Sequence, residues 1–220
     1  MTFDINLILA SLPAIAKGAL VSLSLWIGGT IGAVILGFIV AIVRRYGPAP
    51  VAAILALCVE VLRGTPFLIQ IFLLYYGGPY AGIALDPIPA GLFCLCIYGA
   101  AYFSEIFRAG FLAVPKGHIE AAECLGFTRG EIIRRILLPE MTMLVLPPST
   151  NMSIILLKET AVLSIITVPE MTLTISALGS QQYAFLESIF LLAIIYWGLV
   201  ELAGRLGRTA ETRLSRYRFS

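Results

Sequence analysis

Charge is what this chain has least of. Asp, Glu, Lys and Arg make up 13% of its 220 residues, against 59% hydrophobic residues and a mean hydropathy of +0.95. An ordinary soluble domain carries about 25% charged residues, and so few charges cannot cover a water-soluble globule of this length. Histidine occurs once, at His118, so neither a histidine-rich metal centre nor a membrane-embedded hydrolase with a nucleophile and base is supported. The four cysteines, Cys58, Cys94, Cys96 and Cys124, lack metal-ligand spacing and read as plain thiols. No G-x-x-x-x-G-K-[ST] run is present, so the chain has no P-loop phosphate cradle. The net charge of +2 comes with no long basic run, which argues against nucleic acid. The start of the chain lacks a basic n-region, so no cleavable signal is expected.

What the chain does have is apolar runs of spanning length, about 20 residues. An all-α integral membrane protein with five transmembrane helices follows, as one domain over 1–220. The spans are predicted at 19–43, 51–76, 88–114, 150–167 and 185–202. Pro139, Pro147 and Pro148 are read as breaks, which sets the start of the fourth span near Thr150. The stretch with Pro169, Gly179 and two glutamines is read as a loop. Basic residues outside the spans are Lys17 before the first span, Arg44, Arg45, Lys116, Arg129, Arg134, Arg135 and the tail arginines Arg205, Arg208, Arg213, Arg216 and Arg218. All but Lys17 follow spans one, three and five, so the positive-inside rule predicts the N-terminus outside and the C-terminus in the cytoplasm.

The polar loop at 115–138 carries the strongest local signals. Glu120 and Glu123 suit the early turns of a short helix, and Gly126 suits a left-handed stop after it. Thr128 and Glu131 have capping-box spacing and restart a helix with Ile132, Ile133, Ile136 and Leu137 on its apolar side, ended by Pro139. The expected product is a helix-turn-helix elbow in the cytoplasm.

Glu120-Ala121-Ala122, Gly126, Ile136 and Leu138-Pro139 resemble the EAA loop of permease subunits in bacterial ABC importers. Glu60 through Arg63-Gly64-Thr65-Pro66, Ala101-Tyr102 through Glu105 and Arg108-Ala109-Gly110, and Asn151 through Lys158-Glu159-Thr160 with Ser164 resemble the polar amino-acid branch, of the histidine/arginine/glutamine type. The resemblance covers nearly the whole chain. It departs at His118, where Gln is usual, and at Glu159, where Asp is common. It implies the type I ABC importer transmembrane fold in the bacterial inner membrane. It also implies a second permease subunit, two ABC ATPase subunits docked on the elbow through Glu120, Ala121, Ala122, Leu125, Gly126 and Phe127, and a periplasmic or surface substrate-binding protein. No cofactor is implied in this chain, since ATP and magnesium would sit on the partner.

Ionisable residues inside spans cost about 2.5–3.5 kcal/mol each on insertion scales and usually face a cavity or a partner. Counting from the predicted span ends puts Arg63-Gly64-Thr65, Tyr102 with Glu105, and Lys158-Glu159-Thr160 at one mid-membrane level. With Asn151 these are the candidate substrate-binding residues, chemically suited to an amino-acid zwitterion. Glu60 with Arg63 and Glu105 with Arg108 could instead pair along their own helices, and Lys158 could pair with an acid on another helix. Gly28-x-x-x-Gly32 permits close helix approach. A secondary transporter or a non-translocating structural membrane subunit are the alternative readings.

Overall fold

The structure, a computed structural model, describes residues 5–215; Arg216 and Arg218 lie outside the described residues. Every described element is helical. The helices are α1 (Ile5–Tyr46), α2 (Ala49–Gly64), α3 (Phe67–Phe72), α4 (Pro87–Ala113), α5 (Lys116–Cys124), α6 (Arg129–Ile132), α7 (Leu138–Glu159), α8 (Met171–Gln182) and α9 (Phe185–Ser215). Four continuous helical stretches are long and apolar enough to cross a membrane, and the second span is a bent pair.

Where the structure departs from the sequence reading, prolines and packing explain it. The first span was expected to begin at 19, yet α1 continues back through Lys17 and Pro13 to Ile5. Its extension is stabilised by Ile15, which is buried with Met171 and Ile175 of α8. The second span is broken. Thr65 and Pro66 are extended (φ/ψ −114/140 and −60/142) and the axis bends by 108° between α2 and α3. A residue before proline avoids the α region, which stops α2 there. Past α3 the chain tightens through a π turn at Leu73–Gly77 and a 3₁₀ turn at Gly78–Ala81.

Pro139 does not end the elbow's second helix, and the fourth span does not start at Thr150. One helical run extends from Arg129 to Ile166. A proline ring clashes with the carbonyl four residues back; here a π turn at Ile133–Leu137 precedes it, with the Leu138 amide donating to Ile133 O. That widened turn makes room for the ring, as π bulges do. Pro147 and Pro148 sit inside α7 without breaking it. The stretch read as a loop after Pro169 holds α8, whose first turn is capped by the Glu170 side chain accepting from the Leu173 amide at 2.7 Å.

The core is a seam between α1 and α4. A side chain at Gly28 would meet Leu92, one at Gly29 would meet Leu95, and one at Gly32 would meet Cys96. At Gly37 an added Cβ would lie 2.6 Å from the Phe103 Cβ and 3.0 Å from the Ala100 carbonyl oxygen. Small residues therefore let the two backbones approach, the usual way membrane helices associate without a hydrophobic drive between them. On the other side of α4, Gly110 abuts Met141 and Val145, Gly99 abuts Leu156, and Gly91 abuts Leu163. α7 thus runs antiparallel to α4 and brings its residues past α4 in reverse order.

Candidate functional site

The break in the second span needs its backbone satisfied, because no water is available in the hydrocarbon. Gln70 of α3 does this. Its amide nitrogen donates to Leu62 O (2.7 Å), Thr65 O (3.1 Å) and Thr65 Oγ1 (2.9 Å). Thr65 Oγ1 in turn donates to Val61 O at 3.0 Å. Gln70 thereby holds open a corner whose last helical residues include Arg63 and Gly64.

Around that corner runs an aromatic track. Phe67 meets Tyr98 with ring centroids 5.1 Å apart, and Tyr98 meets Tyr102 at 5.0 Å. The Arg63 guanidinium lies 5.4 Å from the Tyr102 ring centre, within cation–π range. The Tyr102 hydroxyl donates to Arg63 O at 3.4 Å. Glu159, half-buried on α7, stands within about one helical turn of the level of Tyr98. One line therefore connects Glu159, Tyr98, Tyr102 and Arg63.

Glu105 closes the line at the end of the bundle that carries the elbow. It pairs with Arg44 of α1, and it accepts from Arg108 Nε (3.0 Å) and Nη2 (2.7 Å). Arg63 reaches the same carboxylate only loosely, at 3.9 Å. Three guanidiniums thus converge on one acid. The two that hydrogen-bond it occupy both oxygens, while Arg63 makes no side-chain hydrogen bond among the described residues. The side chain of Arg63 is 44% exposed, against 14% for Arg44.

The single level expected for the deep charges is not what the fold gives. From the α4–α7 pairings above, Glu159 stands level with about Leu95, ten residues from Glu105 and about 15 Å away along the axis. The expectation counted the fourth span from Thr150, whereas α7 begins at Leu138. Asn151 falls near the level of Tyr102 and is exposed. Lys158 is exposed on another side, in an open hollow with Ala161, Tyr196, Trp197 and Val200, and forms no ion pair among the described residues. Thr160 is buried and donates to Leu157 O at 2.7 Å, so its hydroxyl proton is committed. Glu60 is exposed and forms no ion pair with Arg63; the Glu105–Arg108 pair along α4 is formed.

The elbow has the expected caps. Gly126 is left-handed at φ +81, and the Thr128 amide donates to Glu131 Oε2 at 3.0 Å while the Glu131 amide donates back to Thr128 Oγ1 at 3.4 Å. Of the short helix α5 only Ala122 is buried; Glu120, Ala121 and Gly126 are exposed, and Leu125 is 76% exposed at the tip. Phe127 is half-buried, with the Arg135 guanidinium 5.8 Å from its ring centre.

The model of the family described as the binding-protein-dependent transport system inner membrane component matches residues 33–216. The chain belongs to that family. Among curated relatives it is 35% identical to the histidine/lysine/arginine/ornithine transport system permease protein HisQ of Escherichia coli (strain K12), over 83% of this chain and 85% of that one. It is 32% identical to the L-cystine transport system permease protein TcyB of Bacillus subtilis (strain 168), covering 93% and 88% of the two chains. It is 30% identical to the glutamine transport system permease protein GlnP of E. coli K12, covering 97% and 99%. A crystallised amino acid ABC transporter with histidines superposes with a TM-score of 0.90 at 30% identity, covering 97% of this chain and all of that one. The MetNI methionine ABC transporter, at 19% identity and TM-score 0.73, shares the fold. The chain is thus an amino-acid ABC transporter permease, an inner membrane component with the type I importer fold.

For a permease of this family, three residues of the corner were not singled out from sequence. Gln70 was visible only as a polar residue in an apolar run, although its place four residues after Pro66 was a signal that a break needed a donor. Arg44 read as a topological marker at a helix end. Tyr98 lay in an apolar run and gave no signal at all.

Proposed function

We propose that this permease is the translocation subunit of an ATP-driven importer for polar amino acids. It works as a dimer with a second permease, with two ATPases docked on the elbows and a binding protein delivering solute to the opposite face. The basic residues Arg44, Arg45, Arg108, Lys116 and Arg129 gather at the elbow end, which supports a cytoplasmic elbow and C-terminus with the N-terminus outside.

One observation carries the substrate reading: of the three arginines converging on Glu105, Arg63 is the one whose side chain makes no hydrogen bond among the described residues, and it stands half-exposed at a helix break on a tyrosine-lined track. A guanidinium in that state takes a carboxylate bidentately. Broken spans are where membrane transporters bind polar solutes. In this reading Arg63 with Gly64 and Thr65 receives the substrate carboxylate and Tyr102 lines its approach. Glu159 attracts the cationic end, and Asn151 stands at the level of Tyr102. Glu105 is the hub that pairs with Arg44 and Arg108 rather than a ligand. Lys158 and Thr160 serve α7 and its neighbours from outside the track.

Uptake by the complex in liposomes, with its ATPase and binding protein, tests this. Arg63→Ala and Glu159→Ala are each expected to lower uptake at least about tenfold, the value of one lost charge-assisted hydrogen bond, with the complex still assembled. Wild-type uptake in both variants would place the site elsewhere. Uptake without the ATPase would make the chain a secondary transporter.

A further inference from the structure

The elbow rests on the bundle through Ile119, Ala122 and Ile132, and among the described residues α5 has one side-chain polar tie to α7. His118 Nδ1 lies 2.8 Å from Glu140 Oε1 and 2.9 Å from Oε2, across 22 residues of sequence. A carboxylate at neutral pH only accepts, so Nδ1 carries the proton and donates to both oxygens. His118 is in the first turn of α5, and Glu140 is in the first turn of α7. The covalent route between them is soft: the left-handed Gly126, the single turn of α6 and the π turn at Ile133–Leu137. Beside the tie lies a hollow of about 260 Å³ lined by Ala113, Pro115, Met143 and Leu144 as well as His118 and Glu140. Ala122 and Ile119 pack the other side of α5 on the bundle, so at this hollow the hydrogen bond is the direct link between α5 and α7.

We propose that His118 and Glu140 are positioning residues forming the strut that carries movement of the elbow into α7. The strut rests on the reading above that α5 is the ATPase docking element. Force applied to α5 through the covalent route is taken up by the turn at Gly126 and the π turn. Through the strut it enters α7 beyond those turns, and from Glu140 the helix is continuous to Glu159, about 28 Å further on. A pair this exposed, 55% at His118 and 28% at Glu140, adds little to stability. Its loss is therefore expected to leave folding alone and to damage coupling.

The test uses the assembled complex in liposomes, reading solute carried per ATP hydrolysed together with capture of the ATPase and the melting temperature. His118→Ala and Glu140→Ala are each expected to lower that ratio at least fivefold, with capture and melting temperature unchanged. The double variant is expected to be no worse than either single one. His118→Gln, which keeps a donor, is expected to stay within twofold of wild type. Wild-type ratios in both alanine variants, or a double variant whose loss is the product of the two, would overturn the strut. A wild-type complex showing no ATP-dependent uptake would instead fail the importer reading. The strut is then decided by hydrogen exchange of the α5 amides in the full chain in nanodiscs. His118→Ala is expected to speed that exchange about tenfold, and unchanged exchange would overturn it.

Discussion

Two carboxylates hold the two ends of this helix bundle, and they do so by opposite chemistry. At the elbow end Glu105 is surrounded by cations: Arg44, Arg108 and, loosely, Arg63. At the far end Glu170 is fully buried and has no cation among its described ion pairs. It accepts from the Leu173 amide (2.7 Å) and Ser22 Oγ (3.2 Å), and at 3.4 Å from Tyr196 Oη. Ser22 Oγ also accepts from the Met171 amide at 3.0 Å. One acid ties long helices together by charge and leaves an arginine over; the other ties α1, α8 and α9 by hydrogen bonds and leaves nothing over. A cluster with surplus charge is suited to receive a ligand, whereas a saturated one is suited to hold a shape.

Four substitutions probe this contrast, each read as a thermal midpoint in detergent with a second measurement. Glu105→Ala is expected to cost most, about 3 kcal/mol, because removing one partner leaves facing guanidiniums uncompensated. The half-exposure of Arg63 and Arg108 keeps the cost at the low end of that range. A midpoint shift no larger than that of Arg108→Ala would show that Glu105 is not the hub. Glu170→Ala is expected to cost about 2 kcal/mol by removing a helix cap and leaving the Leu173 amide unpaired. Its effect on uptake should follow the fraction folded, and a selective loss of transport in well-folded protein would end the contrast. Gly37→Val tests the seam between the two ends and is expected to cost about 1–3 kcal/mol by overpacking against Phe103 and the Ala100 carbonyl. A neutral result would mean that the ends alone hold α1 to α4. Gly126→Val is the smallest in the bundle. No atom lies within 4 Å of its added Cβ, so only the left-handed backbone is penalised, by about 1–2 kcal/mol within the elbow. The bundle midpoint should stay unchanged while ATPase capture falls, and normal capture would show that the elbow tolerates a changed stop.

The sequence made the helical class, the elbow caps and the apolar spans legible, because each is set by local pattern. Thr128 and Glu131 sit three apart and close their box regardless of what surrounds them. Span boundaries were legible only where no proline intervened. Pro66 does break a helix and Pro139 does not, and what separates them is a π turn that no periodicity reveals. The candidate site suffered for the same reason. Misplacing the start of α7 moved Glu159 to the level of Glu105, and one of the two arginines that hydrogen-bond Glu105 came from α1, 61 residues away in sequence. Helix α8 was hidden because its N-cap, Glu170, reads like any loop acid until Ser22 is brought beside it.

Ser22 and Arg44, which bind the two carboxylates, are 22 residues apart on the unbroken helix α1. At 1.5 Å per residue that is about 33 Å, close to the roughly 30 Å of a bilayer's hydrocarbon. α1 therefore works as a ruler with a polar mark at each end. A membrane made several ångströms thicker draws one mark into the acyl chains, where an ion pair and a hydrogen-bonded acid respond differently to losing water. Lipid acyl length is then expected to bear on the bundle from outside, at its two polar ends and away from the aromatic track between them.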